Sequence, residues 1–369
     1  MSQAQFEVQL IASIVAVACA LPGVFLVLRR MAMMSDAISH TVLLGIVIAF
    51  FITKSLNSPL LLIGAALMGV ITVSLVELLN RTRLVREDAA IGLVFPAIFS
   101  IAVILISRYA GDVHLDTDAV LLGELAFAPF NRLRLFGLDF GPEAVLTTGG
   151  ILLLNIIFVV LLYKELKLAT FDPALAAALG FAPAVIHYGL MALVSLTAVG
   201  AFDAVGSVLV VAFMIAPPAA AYLLTDRLSR MLIYSALIGI FSAISGYWFA
   251  HLLDASIAGS MATMTGVSFL AAYLLAPERG LIAQARRRQA QRVEFALTML
   301  TMHVAHHTAT REAEQENQVL RVNEHLKWSP RFAAEIIGIA ERQGLVQQKK
   351  GLLILTESGL KRSQQEFIS

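Results

Sequence analysis

Val8-Gln-Leu-Ile-Ala-Ser-Ile-Val-Ala-Val-Ala-Cys-Ala-Leu-Pro-Gly-Val-Phe-Leu-Val-Leu28 decides the fold class: it carries no charged residue, and Arg29-Arg30 ends it. A helix needs about 20 apolar residues to cross the hydrocarbon core of a bilayer, so this run can span. No basic region precedes it, which reads as a retained helix rather than a cleaved signal. The pattern then repeats outward. Apolar runs near 37–54, 59–80, 88–107, 144–163, 183–202, 204–224, 231–252 and 258–277 make eight further candidate spans. Several contain Gly or Pro, which membrane helices tolerate better than soluble ones. Pro217-Pro218 is expected to break or kink the seventh. Within 109–143, Leu121 to Leu135 reads as an interfacial or re-entrant helix. The expected fold is an all-α polytopic membrane domain of eight or nine spans.

Composition agrees. Hydrophobic residues make up 58% of the chain and charged residues 14%, with mean hydropathy +0.80, which excludes an ordinary soluble domain. The charge is unevenly spread. Residues 1–277 hold 13 Lys and Arg against 16 Asp and Glu, while 278–369, a third as long, hold 14 against 10. A membrane domain over 1–280 and a soluble unit over 281–369 follow, with the boundary near Pro277-Glu278-Arg279-Gly280. Alternate loops contain Arg29, Arg30, Arg81, Arg83, Arg86, Lys164, Lys167, Arg227 and Arg230; the other set contains only Lys54, Arg108, Arg132 and Arg134. The richer set belongs inside. That leaves the N-terminus outside and the tail, opening with Arg286-Arg287-Arg288, in the cytoplasm.

Cys19 is the only cysteine, so a metal site must use carboxylate, imidazole or thioether. Asp36-Ala-Ile-Ser-His40 lies between Arg29-Arg30 and the apolar run Ala37 to Thr53. Four residues apart, its acid and imidazole share one helix face and reach a single ion. Ionisable groups in a membrane helix cost about 2.5–3.5 kcal/mol each at mid-span and mark pathways. The plain alternative is a helix-start Asp with a His bonded to nearby backbone. Asp203 sits where spans six and seven meet, and His251 with Asp254 ends span eight. These three fall near the outer side and Asp36 near the inner, so they are outer-gate or funnel candidates beside a structural or solvated role. His187 is a weaker candidate of the same kind. Met214, Met261 and Met264 offer thioether, though methionine in apolar helices usually packs. The acidic outer loop Asp112-Val-His114-Leu-Asp116-Thr-Asp118 can concentrate cations or receive a binding protein, or be a solvated loop.

Five stretches in colinear order carry a family resemblance: Gly23-Val-Phe-Leu-Val-Leu-Arg-Arg-Met31, Ser35-Asp-Ala-Ile-Ser-His40, Leu122-Gly-Glu-Leu125, Phe171-Asp-Pro-Ala-Leu-Ala-Ala-Ala-Leu-Gly180 and Val205-Gly-Ser-Val-Leu-Val-Val-Ala-Phe-Met-Ile-Ala-Pro-Pro218. Over about residues 5–280 the chain resembles the integral-membrane subunits of bacterial ATP-binding-cassette importers for manganese, zinc and iron. The resemblance implies a permease in the bacterial cytoplasmic membrane, embedded in lipid. Its partners would be a second permease subunit (self or paralogue), a cytosolic ATPase dimer and an extracytoplasmic metal-binding protein. It carries the pathway role to Asp36 and His40, and orders the transported metals manganese, iron, zinc, with no permanently bound cofactor. In Phe171 to Gly180, Asp172 can cap a helix with Pro173 first and Gly180 last. The resemblance makes Asp172, Pro173, Ala176, Ala177 and Gly180 an ATPase-coupling helix. No Gly-x4-Gly-Lys-Ser/Thr phosphate loop occurs, so the chain is not expected to be an enzyme; ATP belongs on the partner subunit.

Permeases of this family usually end soon after the last span, so 281–369 is a departure. Ser329 and Pro330 start a helix along which Phe332, Ile336, Ile339 and Ala340 recur. Leu345–Gln348 and Leu352–Leu355 read as a hairpin around Lys349-Lys350-Gly351, and Thr356-Glu-Ser-Gly opens a last helix. Helix, helix, wing and helix resemble winged-helix DNA-binding domains, and Gly344-Leu-Val with Leu355-Thr-Glu-Ser-Gly359 is similar to the metal-dependent repressors. The tail's net charge is +4, yet the candidate recognition helix sets Arg331 and Arg342 against Glu335 and Glu341. A protein-contact or regulatory role is favoured over nucleic acid. His303, His306 and His307 form the densest histidine cluster, a candidate cytosolic metal sensor beside a solvated-surface alternative. The function expected is the membrane subunit of an ATP-driven importer of divalent transition metals. The rivals are a secondary metal-ion transporter and a membrane-tethered metal-responsive transcriptional regulator.

Overall fold

The structure, a computed structural model, describes residues 2–55, 58–109, 125–135, 138–308, 316–319 and 321–366. The loop Asp112–Asp118, the residues Leu122-Gly-Glu and the side chain of Asp203 lie outside the described set. The chain divides into two compact units, 1–280 and 281–369.

The first unit contains α1 Gln3–Leu28, α2 Ala32–Thr53, α3 Pro59–Arg81, α4 Glu87–Tyr109, β1 Arg132–Leu135, β2 Leu138–Pro142, α5 Glu143–Leu161, α6 Tyr163–Phe171, α7 Pro173–Ala178, α8 Pro183–Val205, α9 Ser207–Leu224, α10 Leu228–Leu253 and α11 Ile257–Leu275. Among the described residues nine helices, α1–α5 and α8–α11, are long and apolar enough to cross a membrane. The first run is the axis of the unit. Two thirds of its most apolar stretch is buried, against 17% for α5, because α5, α8, α9 and α10 all pack on α1. α2 packs on α3 and α4, and α3 on α8.

Lipid tails are as apolar as leucine, so close backbone approach and interhelical hydrogen bonds must hold such a bundle. A Cβ on Gly45 would lie 2.2 Å from the Gly64 carbonyl oxygen, which shows how tightly α2 and α3 meet. Asn155 Nδ2, fully buried, donates to the Ala18 carbonyl at 2.8 Å and to Thr197 Oγ1 at 3.0 Å, joining α5, α1 and α8. Thr72 Oγ1 donates to Thr41 Oγ1 at 2.8 Å between α3 and α2.

Two expectations change. The described part of 121–135 is not helical: 125–130 turns, and β1 pairs antiparallel with β2. Arg132-Leu-Arg-Leu135 alternates with the period of a strand, and Arg132 Nη1 lies 3.2 Å from Glu7 Oε1, tying the hairpin to the start of α1. Pro217-Pro218 does not break its span. α9 stays helical from Ser207 to Leu224, held by the packing of α1, α10 and α11 around it.

The second unit contains α12 Leu281–Thr308, α13 Val322–His325, α14 Pro330–Arg342, β3 Val346–Lys349, β4 Leu352–Leu355 and α15 Glu357–Glu366. Leu297, Leu300 and Val304 of α12, Val322 of α13, Ile336, Ile337 and Ala340 of α14, and Val346 and Leu353 of the strands form its own apolar core. Ser329 caps α14 through the Phe332 N–H at 3.4 Å. Lys350 and Gly351 both take positive φ, 50° and 80°, as a two-residue hairpin turn between β3 and β4 demands. Residues 316–319 lie beside this hairpin: Leu353 N–H donates to the Asn317 carbonyl at 2.9 Å, and Val319 N–H to the Gly351 carbonyl at 3.1 Å.

Candidate functional site

Asp36 and His40 occupy successive turns at the start of α2. His40 Nε2 lies 3.7 Å from Asp36 Oδ1, and both side chains are partly exposed. That separation is beyond hydrogen-bond length. It is close to the gap of about 3.4 Å between two ligand atoms on one tetrahedral ion with bonds of about 2.1 Å. The flanking serines fix the helix. Ser35 Oγ donates to Met214 Sδ of α9 at 3.0 Å, and Ser39 Oγ donates to the Ser35 carbonyl at 2.8 Å. The His40 ring meets Phe95 and Phe99 of α4, with centroids 5.1 and 5.7 Å away. α4 thus positions the imidazole, a role that four-residue spacing alone does not reveal.

Among the described residues no third His, Cys or carboxylate joins this pair in a three-ligand set. His251 and Asp254 stand exposed at the far end of α10, where Asp254 takes φ 50° and closes the helix; the His251 ring packs against Trp248 at 6.1 Å. Counting helix reversals along the chain puts them at the opposite end of the bundle from Asp36. Met214 and Met261 are fully buried packing residues.

Beside the start of α2 opens a cavity of about 580 Å³, lined by Met34, Glu77, Pro173, His187 and Tyr188 among others. Arg29 reaches across it: Nε donates to Thr170 Oγ1 at 3.1 Å, and Nη1 lies 3.2 Å from His187 Nδ1. Tyr188 Oη donates to Glu77 Oε2 at 2.6 Å. His187 is therefore the partner of a guanidinium and not a free ligand.

The cavity's rim leads to α7. Asp172 Oδ1 accepts from the Leu175 N–H at 2.9 Å, Pro173 takes the first helical position, and Gly180 takes φ 85°. Phe181 N–H donates to the Ala176 carbonyl at 3.0 Å, closing the helix end. Ala176 is buried, whereas Ala177, Phe171, Leu175 and Leu179 are exposed. A short, rigidly ended helix thus presents an apolar surface.

In the second unit the His303 and His307 rings meet with centroids 4.7 Å apart and planes tilted by 59°, half-buried on α12. His306 stays exposed and outside this grouping. Glu316 and His325 arrive from the following segment: His303 Nε2 lies 3.3 Å from the Glu316 carbonyl oxygen, and His325 Nε2 2.9 Å from Glu316 Oε2. Burial pushes His303 below the usual imidazole range, with the Glu316 carbonyl pulling the other way, so the ring is neutral at pH 7.

Residues 1–276 match the ABC 3 transport family. The zinc transport system membrane protein TroD of Treponema pallidum (strain Nichols) is 48% identical over 358 residues, 97% of each chain. That match runs well into 281–369, so the extension is shared with a relative. The manganese transport system membrane protein MntD of Bacillus subtilis (strain 168) is 53% identical over 284 residues, 76% of this chain and 96% of the relative. Among solved structures, a chain of PsaBC from Streptococcus pneumoniae in complex with Fab superposes with a TM-score of 0.61 at 25% identity, covering 76% of this chain and 94% of that one. Matched over residues 1–276 and to relatives of this identity and coverage, the chain belongs to the ABC 3 transport family.

Proposed function

We propose that this chain is the membrane-spanning subunit of an ATP-driven importer of divalent transition-metal ions, with manganese first, then iron and zinc. The observation that carries the reading is the Asp36–His40 pair, spaced for one ion on a permease scaffold whose relatives are named for manganese and zinc. Carboxylate with imidazole suits all three metals, and no thiolate biases the site towards softer ions.

The ion crosses between helices, where Asp36 supplies negative charge and His40 a nitrogen donor. A second permease subunit and an outer binding protein complete the path. Asp203, His251 and Asp254 belong to the outer entrance. ATP is hydrolysed on a cytosolic ATPase dimer that grips α7. Exposed Phe171, Leu175 and Leu179 supply apolar contact there, and the Asp172 cap and Gly180 end keep the helix rigid. Excess Arg and Lys on the loops joining α1–α2, α3–α4, α5–α8 and α9–α10 supports an inner location for α7 and for 281–369. The second unit follows a winged-helix-like order of helices and hairpin. Arg331 and Arg342 opposed by Glu335 and Glu341 on α14 favour contact with protein over DNA.

Reconstitution with a cognate ATPase and binding protein tests the proposal. ATP-dependent accumulation of Mn²⁺ in proteoliposomes is expected, and its loss in Asp36→Ala. Accumulation without ATP, driven by a proton or sodium gradient, would replace this reading with a secondary transporter.

A further inference from the structure

We propose that the second unit holds its own divalent transition-metal site, in which His303 and His307 of α12 and Glu316 ligate the ion and His325 hydrogen-bonds the Glu316 carboxylate. This site goes beyond the transport path, and it lies outside the residues matched to the permease family. Ligand atoms of His303, His307 and Glu316 all fall within 4.8 Å of one another. A tetrahedral ion asks for about 3.4 Å between neighbouring ligand atoms, so the three side chains would draw together slightly around a bound ion.

The framework is built for it. His303 and His307 share a face of α12 and border its core residues Leu300 and Val304. Glu316 is placed by its successors, whose backbone bonds to Gly351 and Leu353 dock 316–319 on the β3–β4 hairpin. His325 ends α13, which Val322 anchors in the core. His303 Nε2 also contacts the Glu316 carbonyl. A carbonyl on one ring nitrogen is the usual outer partner of a ligating histidine, because it sets the tautomer that frees the other nitrogen. Two imidazoles and a carboxylate make a donor set for Zn²⁺, Mn²⁺, Fe²⁺ or Co²⁺. An ion held there ties the end of α12 to the hairpin.

Co²⁺ titration of the full chain in detergent, followed by ligand-field absorption and by counting bound metal, tests the site. Wild type is expected to bind one more Co²⁺ per chain than His303→Ala/His307→Ala. Asp36→Ala/His40→Ala should keep that extra ion, which separates this site from the transport path. Glu316→Gln should lower affinity about ten-fold or more, and His325→Gln by about 10–100-fold as an outer partner. His306→Ala should leave binding unchanged. His303→Gln/His307→Gln, which preserves bulk and polarity, guards against loss through unfolding. Equal stoichiometry and affinity in the double variant and wild type would overturn the proposal. So would an equal loss in His306→Ala, which would mean adventitious surface histidines.

Discussion

The His40 ring packs against Phe95 and Phe99, and these contacts orient the imidazole of the Asp36–His40 pair near the start of α2. On the proposed pathway role, each substitution takes one of the two polar side chains of this pair from the ion's route, so Asp36→Ala and His40→Ala should each abolish Mn²⁺ uptake at matched membrane levels. Normal uptake in both would end the pathway role. Phe95→Ala keeps the Asp36–His40 pair but frees the ring. Loss of an orienting outer contact usually weakens a metal site about 10–100-fold, so the half-saturating Mn²⁺ concentration should rise by at least about ten-fold. An unchanged value would show the aromatic contact to be packing only. The pair itself was legible in the sequence because four-residue spacing is a local property of a helix. The phenylalanines, the Ser35–Met214 bond and the Arg29–His187 contact were not, since each joins residues 55 or more positions apart. Glu316 and His325 escaped for the same reason: nothing local links them to His303.

At the scale of elements, spans were readable from length and apolar content, and their ends agree with the helices to within a few residues. The 121–135 segment misled because an apolar stretch of that length fits an interfacial helix, whereas the Arg-Leu alternation of 132–135 answers to a hairpin. Interhelix spacing depends on glycine. Gly45→Leu pushes a side chain into the Gly64 backbone, and overpacking of this kind costs about 1–3 kcal/mol. Lower thermal stability and a displaced Asp36–His40 pair should follow, read as a reduced melting temperature and reduced uptake together. Wild-type stability would mean α2 and α3 separate without penalty. α7 gives a second element-scale prediction. Asp172→Ala removes a cap worth about 0.5–2 kcal/mol, and Gly180→Val forces a branched residue to a left-handed φ at about 1–2 kcal/mol. Both variants should reduce ATP hydrolysis stimulated by the binding protein while leaving the permease folded. Full stimulation in both would remove α7 from the coupling role.

Across the whole molecule, the uneven charge anticipates the boundary at Gly280, because a segment in lipid cannot carry the charge that a solvated segment can. What the separation means for activity follows from where the chemistry lies. The Asp36–His40 pair, the cavity and α7 all precede residue 280, and 281–369 packs on its own core. Deleting residues 285–369 should therefore leave the initial rate of metal uptake intact in reconstituted vesicles. On the proposal that 281–369 faces the cytoplasm, an ion bound at His303, His307 and Glu316 would report metal already delivered there. Uptake by the full chain should accordingly slow as internal metal accumulates, and this slowing should vanish both in the deletion and in His303→Ala/His307→Ala. Preloading vesicles with Zn²⁺ or Mn²⁺ and comparing initial rates for the three proteins measures it directly. Equal inhibition in all three would show that 281–369 does not regulate transport. A truncated chain that fails to assemble with its ATPase would show instead that the unit is needed for the complex to form.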